Sequence, residues 1–183
     1  MNEQKKLPDS KESRAKIEVC SEPNYTSEYL IKKGISFDDL NAHTSTCIQM
    51  KGQVLYREII DASGRPKGFE RIWPDGTKKV TYGATVKGSF TPFGFSWQDW
   101  PTLRGELIVC AGLADGYRIH TATNIPVACG VGENNLKSIA DSLFTCFSHA
   151  QIIVAADNDE AGIRAAKRTG RKWIIPKEMP DAT

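Results

Sequence analysis

The chain has 183 residues, 40% of them hydrophobic and 25% charged, with a formal net charge of +2. That length buries one substantial core or two small ones, and so small a net charge neither forces nor excludes a nucleic-acid partner. No apolar run reaches membrane-spanning length and no secretory apolar segment opens the chain, and the five cysteines and three histidines lack paired zinc-ligand spacing, so a cytoplasmic protein with reduced thiols is expected.

In chain order, Met1 to about Asn24 is rich in Lys, Glu, Ser and Pro without apolar periodicity, and 1–24 is expected to be a flexible segment. Thr26 to Gly34 reads as a short helix closed by its glycine. Val54–Ile60, Gly68–Trp73 and Lys79–Tyr82 read as strands separated by Asp61-Ala62-Ser63-Gly64 and Pro74-Asp75-Gly76, which is turn chemistry, so an antiparallel meander is predicted. A small α+β subdomain is therefore expected over 25–103. Trp73, Phe90, Phe93, Phe95, Trp97 and Trp100 form its aromatic group, read first as core or as the cover of a subdomain join and second as base-stacking platforms.

A different pattern begins near residue 104. Glu106 to Cys110 is an apolar strand running into Ala111-Gly112, followed by a helix from Leu113 to about Thr123. Ile125–Cys129 is a second short strand, and Asn134–Phe147 shows apolar residues at helical spacing. Ile152 to Ala156 is an apolar run that ends in Asp157-Asn158-Asp159, then Ala161–Arg171 reads as a helix and Lys172–Ile175 as a fourth strand. Strands alternating with helices imply right-handed crossovers and a parallel sheet covered on both faces, with its chemistry at the strands' carboxyl ends. Asp157 and Asp159 stand at such an end. Paired there, they suit a hard divalent cation, although Asp is also a favoured helix cap and turn residue. Asn134 reads equally as a cap, and Asn135-Leu136 as a place where Asn bonds backbone or phosphate.

Gly112, Asp115, Asp157, Asp159 and Gly162, with the helix and strand between them in order, resemble the Toprim domain shared by primases, topoisomerases and some nucleases. The meander segments Leu-Tyr-Arg-Glu, Asp-Ala-Ser-Gly-Arg-Pro, Gly-Phe-Glu-Arg-Ile and Pro-Asp-Gly-Thr-Lys-Lys, with Lys87-Gly88-Ser89-Phe90 and Gly94, resemble the region preceding Toprim in plasmid and phage primases and primase-helicases. The resemblance implies an α/β fold, a Toprim-like parallel sheet flanked by helices over 104–183, behind the meander subdomain. It implies Mg2+ or Mn2+ held by Asp157 and Asp159 with Asp115 in support, structural glycines at Gly112 and Gly162, and metal-dependent nucleotidyl transfer for primer synthesis. The partners it implies are single-stranded DNA template and nucleotides, with a replicative helicase domain or protein as a further partner. Arg164, Lys167, Arg168 and Arg171 beside the aspartates, and Lys78 and Lys79 on the meander, are the candidate nucleic-acid-binding residues.

One position departs from the family. Its glutamate, thought to act as general acid/base or metal ligand, is here Ala111, and alanine does neither, so catalysis is expected to be impaired. Three accounts stand: an engineered knock-out, a natural turn to a non-catalytic module that binds nucleic acid or a replication partner, or substitution by Glu106 or Glu133. Glu106 lies at the far end of its strand, roughly 15 Å away at about 3.3 Å per residue, and is set aside. A Toprim nuclease is the weaker alternative, since the meander argues against it. The primase branch continues beyond this point into another acidic motif, and Asp181 reads either as part of it or, more commonly for one aspartate in a tail, as a solvated residue.

Overall fold

The computed structural model describes residues 27–96, 98 and 102–176. The segment 1–24, Trp97, Trp100 and Asp181 lie outside the described residues. Two short helices open the fold, α1 (Glu28–Lys33) and α2 (Phe37–Ala42). The first stops because Gly34 takes the left-handed conformation, φ 62°, and returns its N–H to the carbonyls of Ile31 and Leu30. Strands β1 (Ile48–Lys51), β2 (Val54–Ile60), β3 (Pro66–Ile72) and β4 (Lys78–Val80) form an antiparallel meander. Its turns rest on the aspartates read from the sequence: Asp61 accepts from Ser63 N and Arg65 N, and Asp75 from Thr77 N.

After β5 (Phe90–Phe93) the chain alternates: β6 (Gly105–Cys110), α3 (Leu113–Thr123), β7 (Val127–Gly130), α4 (Leu136–Cys146), β8 (Ala150–Ala155), α5 (Glu160–Arg168) and β9 (Lys172–Ile174). A 3-10 turn over Glu133–Asn135 leads into α4. Strands β7, β6, β8 and β9 are parallel neighbours. The result is a mixed sheet in the order β4-β3-β2-β5-β7-β6-β8-β9, with β1 on β2.

Period-two alternation in β6 and β8 sends side chains to two separate cores. Leu107, Val109, Ile152 and Val154 meet Leu136, Ile139, Leu143 and Ala166 from α4 and α5. Ile108, Cys110 and Ile153 meet Leu113 of α3 and Tyr29 and Leu30 of α1. Both faces of the parallel strands are thus covered, which is why these strands read as unbroken apolar runs.

Three elements go beyond the sequence reading: α2, β1 and β5. β5 joins the meander to the parallel strands, pairing antiparallel with β7 over four residues and with β2 at Phe90 alone. The reason it escaped notice is visible in its composition, Phe-Thr-Pro-Phe, since a proline demotes a run this short. Phe90, Phe93 and Phe95 are buried, so this part of the aromatic group is core. A buried guanidinium reinforces the join. Arg57 on β2 bonds Glu70 of β3 at 2.7 Å, Gly130 O at 2.6 Å, and Cys129 through its carbonyl at 3.2 Å and its Sγ at 3.0 Å.

Candidate active site

The carboxyl ends of β6 and β8 lie side by side, with Val109 opposite Val154 in parallel register. Continuing each strand past its last residue sets Ala111-Gly112 beside Ala156-Asp157. The backbone turns at both places because each strand hands over to a helix. Gly112 stands directly before α3, and a Cβ on it would collide with the Asp115 carboxylate one turn on. Gly162 has a stricter role. A Cβ there would lie 2.6 Å from the Asp157 carbonyl oxygen and 3.0 Å from its amide nitrogen, so only glycine lets the first turn of α5 pass this close behind the aspartate.

Asp159 caps α5, its Oδ1 accepting from Gly162 N at 2.7 Å. The capping role foreseen as the competing explanation of Asp159 is therefore real, and it leaves the second carboxylate oxygen outside the cap. Asp157 is exposed at the edge, and its proton affinity is raised by partial burial first, then by the charges of Asp115 and Asp159. Glu133, on the 3-10 turn after β7, is raised too, by desolvation and then by the charges of Asp159 and Asp157. Asp115 and Asp157 line one cavity, and the charges of Asp159 and Asp157 reach Glu133. Glu106 is far from them, at the amino end of β6, where it lies 3.7 Å from Lys172.

Four carboxylates repelling one another favour added positive charge at this edge, and hard oxygen donors are the right kind for Mg2+ or Mn2+. In kind, therefore, the residues fit such an ion. Their arrangement is incomplete: among the described residues no three His, Cys, Asp or Glu side chains converge as a metal-holding group. Ala111 stands beside these residues. It lines a cavity of about 270 Å3 together with Asp115, Asp157, Arg118, Ile119 and Ile174, so the space into which a longer side chain would extend adjoins the carboxylates.

The basic residues divide. Lys78 attracts Asp157 electrostatically and sits 5.9 Å over the Tyr29 ring. Lys79 is exposed on β4 opposite Arg71. On α5, Arg164 pairs with Glu160 one turn earlier, while Lys167 and Arg168 are exposed. Arg171, beyond the helix, turns away to stack 3.9 Å over Phe144 and to reach Asp141 at 3.5 Å. Asn135 spends its side chain on backbone, accepting from Gly88 N at 2.8 Å and donating to Val86 O and Ser89 O, which pins the 86–89 loop to the start of α4. Sequence reasoning weighed Glu133 without a reason to choose it, since 24 residues separate it from Asp157 and only the β7 exit brings them together.

Residues 106–174 match the Toprim domain family. A search of curated proteins by sequence gave no significant match. Among solved structures, a chain from a complex described as bacteriophage T7 lagging-strand DNA polymerase interacting with primase domains of two gp4 subunits, bound to an RNA/DNA hybrid and dTTP, is 22% identical with a TM-score of 0.60. That similarity covers 87% of this chain and 83% of that one. The primase fragment of the bacteriophage T7 primase-helicase is 20% identical, TM-score 0.59, over 86% of this chain and 66% of that one. The E. coli primase catalytic core is 16% identical, TM-score 0.54, over 85% and 65%. The chain spans about two thirds of the length of these last two, and at such identities the likeness is one of fold. Its residues 106–174 are thus similar to the Toprim domain family, and its fold is similar to that of phage- and bacterial-type primase catalytic cores.

Proposed function

We propose that this chain is the Toprim portion of a mobile-element DNA primase, built for metal-dependent nucleotidyl transfer in primer synthesis and impaired by the alanine at 111. The observation that carries this reading is the cavity that Ala111 lines together with Asp115 and Asp157. Asp157 and Asp159 would hold Mg2+ or Mn2+, with Asp115 in support. Such an ion, when bound, offsets phosphate charge and lowers the pKa of the attacking hydroxyl. The chain's own contribution is placement: Gly162 lets α5 close up behind Asp157, and the cap at Asp159 fixes that residue's orientation. Lys78, Lys79, Lys167 and Arg168 supply positive charge for single-stranded template and nucleotides. The RNA/DNA hybrid and dTTP in the T7 complex support this choice of partners, and the primase-helicase origin of the second neighbour supports a helicase as a further one.

A second reading follows from the same edge. The carboxylates do not converge, which favours a non-catalytic module that binds nucleic acid or a replication partner. Primer synthesis on single-stranded DNA with Mg2+ or Mn2+ separates the two. The primase reading expects Ala111→Glu to raise activity at least about 100-fold, the usual contribution of one acid/base group, and Asp157→Asn in that background to abolish it. Silence of the Ala111→Glu protein alongside retained DNA binding would establish the module instead. If Glu133 already stands in for the missing group, the unaltered chain is active and Glu133→Gln silences it.

A further inference from the structure

Cys110 ends β6 and Cys129 lies in β7, and the parallel register sets the two directly opposite one another. Neighbouring strands run roughly 4.7–4.9 Å apart, inside the range of roughly 4.4–6.8 Å over which a disulfide can bridge two α-carbons. Both side chains lie on the face covered by α3. A Cβ on Gly116 would stand 3.2 Å from Cys110 Sγ and 3.3 Å from Cys129 Sγ, so the two sulfurs flank one point beneath that helix. Both are free thiols and both are buried. Buried cysteines in a core are ordinarily inert small hydrophobes, but two features set this pair apart. Arg57 donates to Cys129 Sγ at 3.0 Å, placing a guanidinium on a sulfur in an otherwise apolar layer. Burial opposes ionisation of that thiol, yet Cys110 and Arg57 outweigh it and lower its proton affinity. Cys110, for its part, lines the same cavity of about 270 Å3 as Ala111, which gives a small reagent a path to its sulfur.

We infer that Cys110 and Cys129 form a redox-active dithiol that closes to a disulfide when a small hydroperoxide enters the cavity. The terminal oxygen of the peroxide passes to Cys110 Sγ: an S–O bond forms, the O–O bond breaks, and the alcohol, or water in the case of hydrogen peroxide, leaves with the thiol proton. Cys129 Sγ then attacks the Cys110 sulfur. The S–S bond forms, the S–O bond breaks, and the departing hydroxide leaves as water with the Cys129 proton. The pair of thiols gives up two electrons in all, and the peroxide takes them up. Strand spacing holds the α-carbons closer than the commonest span of such a bridge, so this disulfide is of the strained kind that thiol reductants reopen. Its closure falls one residue from Ala111, under the carboxylate edge. It needs neither metal nor nucleic acid, and so stands apart from the primase reading.

Peptide mapping of the unaltered full chain tests this directly. The folded protein is treated with hydrogen peroxide, quenched with catalase, denatured in iodoacetamide and digested with trypsin, which cuts at Arg118 and so leaves the two cysteines on separate peptides. The peptide carrying Cys110 is expected to emerge joined to the peptide carrying Cys129, with alkylation of both lost. Dithiothreitol added before alkylation is expected to restore both. In Cys110→Ala, the same treatment is expected to leave Cys129 open to alkylation. Oxidation that stops at a sulfinic acid on Cys110, that joins either residue to Cys20, Cys47 or Cys146, or that leaves both as fully alkylated as in the untreated protein would overturn the inference.

Discussion

Gly162 carries more of the site than its lack of a side chain suggests. The Asp157 backbone passes so close that an added Cβ meets its oxygen at 2.6 Å, and backbone on both sides has little room to yield. Gly162→Ala is therefore expected to destabilise the fold by about 1–3 kcal/mol, the usual range for overpacking, and to move Asp157 relative to Ala111. Urea denaturation gives the first quantity and backbone amide shifts at Asp157 the second; unchanged values for both would mean that the two segments slide apart freely. This close approach was only half legible in the sequence. The glycine's place after Asp157-Asn158-Asp159 was a matter of resemblance, whereas its reason, an approach of helix to strand end, needs three dimensions. Glu133 was less legible still, because its nearness to Asp157 depends on where β7 ends.

At the scale of elements, the link between the two halves of the sheet is polar as well as apolar. Arg57 belongs to a strand read from the sequence as Val54–Ile60, where period two sets it on the buried face with Leu55 and Ile59, yet nothing local showed the partners that let a guanidinium stay there at 1% exposure. What draws it in is Glu70 across β2–β3 together with the carbonyls of Cys129 and Gly130 at the end of β7. Burial opposes its charge, but the neighbouring Cys129 and Glu70 outweigh burial and raise its proton affinity. Removing one partner of such a pair strands the other. Arg57→Ala is expected to cost about 3–5 kcal/mol in denaturation, whereas the double replacement Arg57→Met with Glu70→Leu recovers most of it. Equal loss in both proteins would show that the carbonyl contacts to β7, and not the ion pair, hold the join. The parallel elements were legible for a simpler reason: β6 and β8 are buried on both faces, so Leu107–Val109 and Ile152–Val154 stand out as continuous apolar runs, while the four residues of β5 present no period to read.

For the whole molecule, the mixed sheet positions two charged features on either side of Asp115. The carboxylate edge at the ends of β6 and β8 lies on one side, and a cavity lined by Lys32, Lys33 and Lys78 on the other. No helix among the described residues is long and apolar enough to cross a membrane. The proposed chemistry requires that the edge hold a hard divalent cation and that a carboxylate at position 111 strengthen its hold. The most direct measurement is the binding of Mn2+ by electron paramagnetic resonance to the unaltered chain, to Ala111→Glu and to Asp157→Asn. The account predicts weak binding by the chain, tighter binding by Ala111→Glu and loss of it in Asp157→Asn. It also predicts that binding weakens as pH falls, and at a higher pH than an unperturbed aspartate would set, because partial burial and the neighbouring charges raise the proton affinity of Asp157. Absence of Mn2+ from all three proteins, or binding that Asp157→Asn leaves intact, would contradict it.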